Sequence, residues 1–153
     1  MMKQKTLEDY LKVIYLLEKR KGHAKTGQIS SELDVKPPSV TEMLRRLEEE
    51  SYLKYERYEG AELTKAGKNI AENLMIYHET IADFLNIIGV EEGQAELDAC
   101  ELEHHISEET LVKLKKFIEF IHDAPIEPKW IEHYRHYIKT GERKKCIFYT
   151  DEE

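Results

Sequence analysis

The sequence predicts a mostly α-helical fold, with a winged helix-turn-helix at the N-terminus and a second, wholly α-helical domain behind it. Three observations predict this. Apolar residues recur with helical period along most of the 153-residue chain. A proline pair, Pro37 and Pro38, separates two short helical patterns at the spacing of a helix-turn-helix. The strand-like stretch around Glu59 and Gly60 follows directly after the second of them.

The first helix should run from about Thr6 to Arg20, with Leu7, Tyr10, Leu11, Ile14 and Leu17 as its apolar stripe and Gly22 ending it. A short helix follows from Thr26, its expected N-cap, to Asp34, burying Ile29 and Leu33. Pro37 and Pro38 forbid continuing that helix yet suit the first turn of the next, which runs to about Ser51. Val40, Met43, Leu44 and Leu47 face inward along it, which leaves Ser39, Thr41, Glu42, Arg45 and Arg46 pointing out. Leu53 to Tyr58 and Ala61 to Thr64 then read as a hairpin, a wing whose Lys54, Arg57 and Lys65 can reach phosphate. Glu48, Glu49 and Glu50 oppose both the helix dipole and DNA, so the helix should enter a groove by its other end, where Lys36 stands. Scattered Arg on an amphipathic helix is ordinary, and winged helices can also bind protein. The features of residues 6–65 taken together favour double-stranded DNA.

From Thr64, an expected N-cap, a helical pattern continues to Ile88 and is stopped by Gly89. Its Ile70, Leu74, Tyr77, Ile81, Phe84, Leu85 and Ile88 offer more apolar surface than one helix beside a wing needs. Gln94 to His105 and Glu108 to His122 are two further helices, the latter striped by Leu111, Leu114, Ile118 and Ile121. The three read as a dimerisation bundle, which suits palindromic DNA sites, or else as stripes packed within one monomer. Beyond Asp123, Pro125 and Pro128 break the helix, Trp130 to Tyr137 gives one or two amphipathic turns, and Cys146 to Tyr149 a strand-like tail. The expected division is a DNA-binding domain over 1–66, a helical metal-binding and dimerisation domain over 67–123, and a C-terminal extension over 124–153.

Composition narrows the function. Charged residues make up 35% and hydrophobic ones 41%, as in a globular protein, and neither a signal-type core nor a membrane-length apolar run is present, so a cytoplasmic protein with no membrane partner is expected. Two distant cysteines, Cys100 and Cys146, form no disulfide framework, and Cys146 reads as a packed tail residue. The net charge of −8 is unevenly placed: residues 1–66 carry 13 Lys/Arg against 12 Asp/Glu, whereas the remainder carries 10 against 19. One half can face phosphate and the other cannot.

The chemistry-bearing feature is Cys100, Glu103 and His104, at i, i+3 and i+4 of an expected helix. That spacing stacks a thiol, a carboxylate and an imidazole on one face, the donor types a first-row transition ion takes from protein. The alternative is a buried Cys beside a solvated Glu–His pair. His122, His133 and His136 lack a carboxylate or thiolate to complete a set and read as surface histidines. No nucleophilic triad or phosphate loop is present, so no enzyme is expected. Glu101 with His104, and Glu119 with His122, also fit the Glu-x-x-His pattern of di-iron bundle oxidases and storage proteins, but that reading leaves the wing unexplained. A winged-helix regulator sensing an organic ligand explains residues 6–65 equally well and leaves the donor set without a role.

Asp9-Tyr10, Pro38-Ser39-Val40-Thr41, Tyr58-Glu59-Gly60, Leu63-Thr64-Lys65-Ala66-Gly67, His78, and Cys100 with Glu103-His104 together resemble the diphtheria-toxin-repressor/manganese-transport-regulator (DtxR/MntR) family over roughly residues 5 to 122. The resemblance implies a homodimeric transcriptional repressor that binds DNA when loaded with Fe2+ or Mn2+, and accepts Co2+, Ni2+ or Zn2+ as surrogates, with Fe2+ expected ahead of Mn2+. Asp9, His78, Cys100, Glu103 and His104 match family ligand positions, and Glu96 stands where the family can have a His. Cys100 is the iron-branch residue and Asp9 the manganese-branch one, so the set is a hybrid. Lys12 and Ala82 fall where further carboxylates are common, His105 reads as structural, and no length remains for the SH3-like domain of larger members.

Overall fold

The apolar stripe of the first twenty residues produces the helix around which the N-terminal half is packed. The computed structural model describes residues 4–144, and in it α1 spans Gln4–Lys21. Tyr10, Leu11, Ile14, Tyr15 and Leu17 are buried there. Helix α2 covers Thr26–Leu33; Thr26 is its first residue rather than its cap, because Gln28 Oε1 accepts the Lys25 backbone N–H at 2.9 Å and so satisfies the helix start one residue earlier. Asp34, in the left-handed region at φ 52°, ends α2. Helix α3, Pro37–Glu49, begins on the two prolines and buries Val40, Leu44 and Leu47.

The wing consists of β1, Leu53–Glu56, paired antiparallel with β2, Gly60–Leu63, in the register Leu53 to Leu63. β1 is shorter than the sequence pattern suggested, since residues 57–59 form the turn, and β2 keeps its expected length but starts one residue earlier. Ala61 donates its N–H to Ala24 O at 2.8 Å, and Glu18 accepts the Leu63 N–H at 2.7 Å, which fasten the sheet to the end of α1. Leu53, Ala61 and Leu63 close the same core as α1, α2 and α3.

Helix α4, Lys65–Ile87, is capped by Thr64, whose hydroxyl accepts the Gly67 N–H. It passes from the first core, where Ala71 is buried, to a second core containing Ile81 and Ala82. Tyr15 Oη donates to Glu72 at 3.0 Å, linking α1 to this spine. Helix α5, Glu92–Leu102, lies on α4 through Ala95 and Ala99, whose small side chains are fully buried. It begins earlier than expected because Glu91 caps it, and ends earlier, so Glu103, His104 and His105 form the turn that follows. Helix α6, Glu108–His122, is capped by Ser107. Leu111, Ile118 and Ile121 of its stripe are buried within the chain, whereas Val112, Phe117 and Phe120 are exposed. The expected stripe therefore packs internally, and the outward apolar face is a different one.

Helix α7, Lys129–Thr140, is longer than one or two turns, starting after Pro128 and ending at Gly141 with φ 71°. It is held by Trp130 against Phe117 and by a hydrogen bond from Tyr134 Oη to Ile88 O at 2.9 Å. The tail pattern at Cys146 to Tyr149 lies outside the described residues. Among those described, no helix is long and apolar enough to cross a membrane.

Gly67 lies where the start of α4 crosses the wing, and an added Cβ would stand 2.1 Å from Tyr52 O, a carbonyl already accepting the Thr64 N–H. Gly67→Ala should cost about 1–3 kcal/mol of stability by overpacking. Urea unfolding checks this, with wild-type stability as the contrary result.

Candidate metal centre and DNA-binding face

Helix α1 serves two neighbours. Tyr10, Leu11 and Ile14 turn into the first core, while Glu8, Asp9 and Lys12, at i, i+1 and i+4, meet the turn that follows α5. Glu103 and His104 therefore approach α1 although they belong to the other half of the molecule. Glu103 still has helical backbone angles, so the stacking expected from its spacing to Cys100 persists past the last turn of α5.

Glu103 is the hub. Its side chain is fully buried, and its two oxygens accept from Lys12 Nζ at 2.7 and 2.8 Å. Oε2 also lies 2.8 Å from His78 Nδ1, and His78 Nε2 is 2.7 Å from Glu96 Oε2. On the other side, His104 Nδ1 lies 2.6 Å from Glu8 Oε2. Its Nε2 is buried without a hydrogen-bond partner, 3.0 Å from Asp9 Oδ1 and 3.5 Å from Glu103 Oε1. An imidazole with one nitrogen bonded to a carboxylate and the other turned, unbonded, between two more carboxylates suits a ligand of a divalent cation. The donor set therefore fits such an ion.

Electrostatics follow from this burial. Desolvation pushes Glu103 up, but hydrogen bonds from His78 and Lys12 outweigh it and hold the carboxyl below its usual value. The Glu103 hydrogen bond raises His78. Burial raises Asp9 against the pull of His104, and the Cys100 thiol is raised by partial desolvation and by Glu103.

The structure thus brings Asp9, His78, Glu96, Glu103 and His104 into one connected cluster. Cys100 is exposed at its border, near enough for Glu103 and Asp9 to act on its thiol. Among the described residues no three His, Cys, Asp or Glu side chains converge as a metal site needs, and ion pairs join those of the cluster to one another and to Lys12. Ala82 is packed in the second core, and exposed His105 lines a different, apolar hollow with Ile81 and Leu114. Sequence reasoning missed Glu8. Its position one residue before Asp9 was legible, but only the fold shows that it reaches His104.

On the other face, Lys36, Ser39, Glu42, Arg45 and Arg46 are exposed along α3, as are Lys54 and Arg57 in the wing. Thr41 departs from the outward expectation: it is half-buried, and its hydroxyl donates back to Pro37 O at 3.2 Å, a bond Thr makes readily within helices. Arg46 pairs with Glu42 one turn earlier. Glu48 accepts the Tyr55 N–H at 2.9 Å, joining the acidic end of α3 to the wing. At the wing tip Tyr58 is 84% exposed with Arg57 above its ring, a contact between neighbours that the sequence pattern did not predict.

Comparison with known proteins bears on both faces. Residues 2–61 match the family model described as iron dependent repressor, N-terminal DNA binding domain, and residues 64–132 match iron dependent repressor, metal binding and dimerisation domain. The chain is 39% identical over 118 residues to the HTH-type transcriptional regulator MntR of Oceanobacillus iheyensis, covering 77% of this chain and 80% of that one. Among solved structures it resembles the manganese regulator SloR (TM-score 0.66, 32% identity, 78% of this chain) and T. acidophilum IdeR (TM-score 0.63, 29% identity, 76% of this chain). It spans only 55% of each of those two solved chains.

Two outcomes are expected. Because His78 is raised in the folded protein, its contribution to metal-free stability is full below the unfolded His value, about 6.5, and is lost as pH rises through the folded one. Thermal unfolding in chelator should therefore show stability falling from pH 6 to pH 8; a flat profile would place His78 outside the pairing. Arg57→Ala should lower the slope of log K against log salt by about one, the value for one lost phosphate contact. An unchanged slope in a DNA titration would move the DNA to another surface.

Proposed function

The chain belongs to the DtxR/MntR family of iron-dependent repressors, and from that premise we propose that it represses genes of metal-ion homeostasis by binding a palindromic operator as a homodimer when loaded with Fe2+ or Mn2+. The observation that carries this is the buried, unbonded Nε2 of His104 between the carboxylates of Asp9 and Glu103. Asp9, Cys100, Glu103 and His104 are the proposed donors on one side of the hub, with His78 and Glu96 on the other. Exposed Leu97, Leu102, Val112 and Phe120 supply apolar surface on the α5–α6 half for a partner copy.

When bound, a divalent ion supplies two positive charges and directional bonds among these donors. The rest belongs to the chain. Asp9 belongs to α1 and so to the DNA-binding core; Cys100, Glu103 and His104 belong to α5 and its following turn. Holding the two groups together would fix α1 against the dimerising half, and α1 positions α3 through Leu11, Ile14, Val40 and Leu44 in their common core. Glu8 orients His104 by holding Nδ1. Preferential stabilisation of one DNA-competent arrangement by about 1–3 kcal/mol would raise operator affinity roughly 5 to 150-fold.

The thiolate of Cys100 is a softer donor than a carboxylate, which places Fe2+ ahead of Mn2+ in this reading. The names of MntR and SloR argue for manganese, and one measurement separates the two. Operator binding is titrated under anaerobic conditions against buffered Fe2+, Mn2+ and Co2+. Loaded protein should bind at least fivefold more tightly than metal-free protein, and Cys100→Glu should shift activation towards Mn2+. Equal affinity with and without metal contradicts the repressor reading, and an unchanged metal order in Cys100→Glu contradicts the role of the thiolate.

A further inference from the structure

The cluster around Glu103 holds two groups of donors. His104, Asp9 and Oε1 of Glu103 lie on one side, with Cys100 at the border; His78, Glu96 and Oε2 of Glu103 lie on the other. Each side has enough nitrogen and oxygen for a cation. Of the two rings, only His104 has an unbonded nitrogen, its Nε2, and its side chain is 1% exposed. On the second, both ring nitrogens of His78 are engaged, one by Glu103 and one by Glu96.

Lys12 already holds the carboxylate that the two sides share. It stands on α1 one turn beyond Glu8, and its ammonium contacts both oxygens of Glu103, with only 16% of the side chain exposed. An ammonium has three donors and no lone pair, so it can serve a carboxylate as a cation does but can never ligate a metal. A divalent ion on either oxygen would lie near that positive charge, but one on Oε2 would also have to break both bonds of the His78 ring, whereas His104 Nε2 has none to break.

Resting on the metal-dependent reading above, we propose that Lys12 is a built-in cation on Glu103 that takes the place of one of two ions, so that each protomer takes up one divalent ion, on the side where His104 Nε2 is free, rather than two. The Lys12–Glu103 ion pair joins α1 to the turn after α5, and His78 and Glu96 stay paired as support for the Glu103 carboxylate. Asp9 and His104, with Glu103 Oε1, provide the position that is left for metal.

The test counts bound metal. Full-length protein is dialysed to equilibrium against Mn2+, with free Mn2+ measured by electron paramagnetic resonance, for wild type, Lys12→Arg, Lys12→Gln and Lys12→Glu, each checked for native circular dichroism. Wild type and Lys12→Arg should saturate at one ion per protomer. Lys12→Glu, which removes the ammonium and adds a carboxylate, should saturate at two; if it does not fold, Lys12→Gln carries the test and should gain a second, weaker equivalent. Two ions in wild type overturn the proposal, as does one ion in a folded Lys12→Glu, or in Lys12→Gln where that variant carries the test. No ion in wild type would overturn the metal-dependent reading itself, a result distinct from either.

Discussion

A fully buried carboxylate at the meeting point of the two halves is the constraint on which the rest of this molecule depends. Removing an ionised Glu from water costs several kcal/mol unless charge and hydrogen bonds replace the lost solvent. For Glu103 the replacement comes from Lys12 of α1 and His78 of α4, which belong to different elements. The turn after α5 can therefore be closed only when α1 and α4 stand in one relation to it. An interaction that looks local is a three-way register between helices.

That register reaches DNA through ordinary packing. Helix α1 places its charged residues towards Glu103 and His104 and its Leu11, Ile14 and Leu17 in the core shared with α3 and the wing. A close-packed core transmits a displacement rather than absorbing it. The fastening of the wing by Glu18 and Ala24 adds a second rigid path from the same helix. On the far side α4 runs through both cores, so the two domains share a spine while keeping separate apolar centres.

Where one helix carried one pattern, the sequence was readable. The bounds of α6 follow from its apolar period, and the start of α3 from Pro37 and Pro38. Legibility failed where a side chain answers to something distant. Glu91 and Gln28 set helix starts by bonding backbone N–H groups, which shifts boundaries without altering periodicity. Leu111, Ile118 and Ile121 looked available for a partner because period alone does not reveal that they are buried within the chain, Leu111 against Ile81 and Ala82 of α4. At the site, Asp9, His78, Glu103 and His104 were found by spacing and resemblance. The roles of Glu8 and Lys12 needed the fold, because a charged residue on an amphipathic helix looks solvated until another element arrives above it.

The most direct test of this coupling is hydrogen exchange of the full chain, followed peptide by peptide with and without Mn2+ or Fe2+. Exchange should slow in α1 and in residues 99–106 on loading, extending into α3, with the wing tip at Arg57 to Glu59 little changed. Slowing confined to residues 99–106, with α1 and α3 exchanging as before, would contradict it, because metal would then be held by one half alone and the DNA-binding face would not feel it.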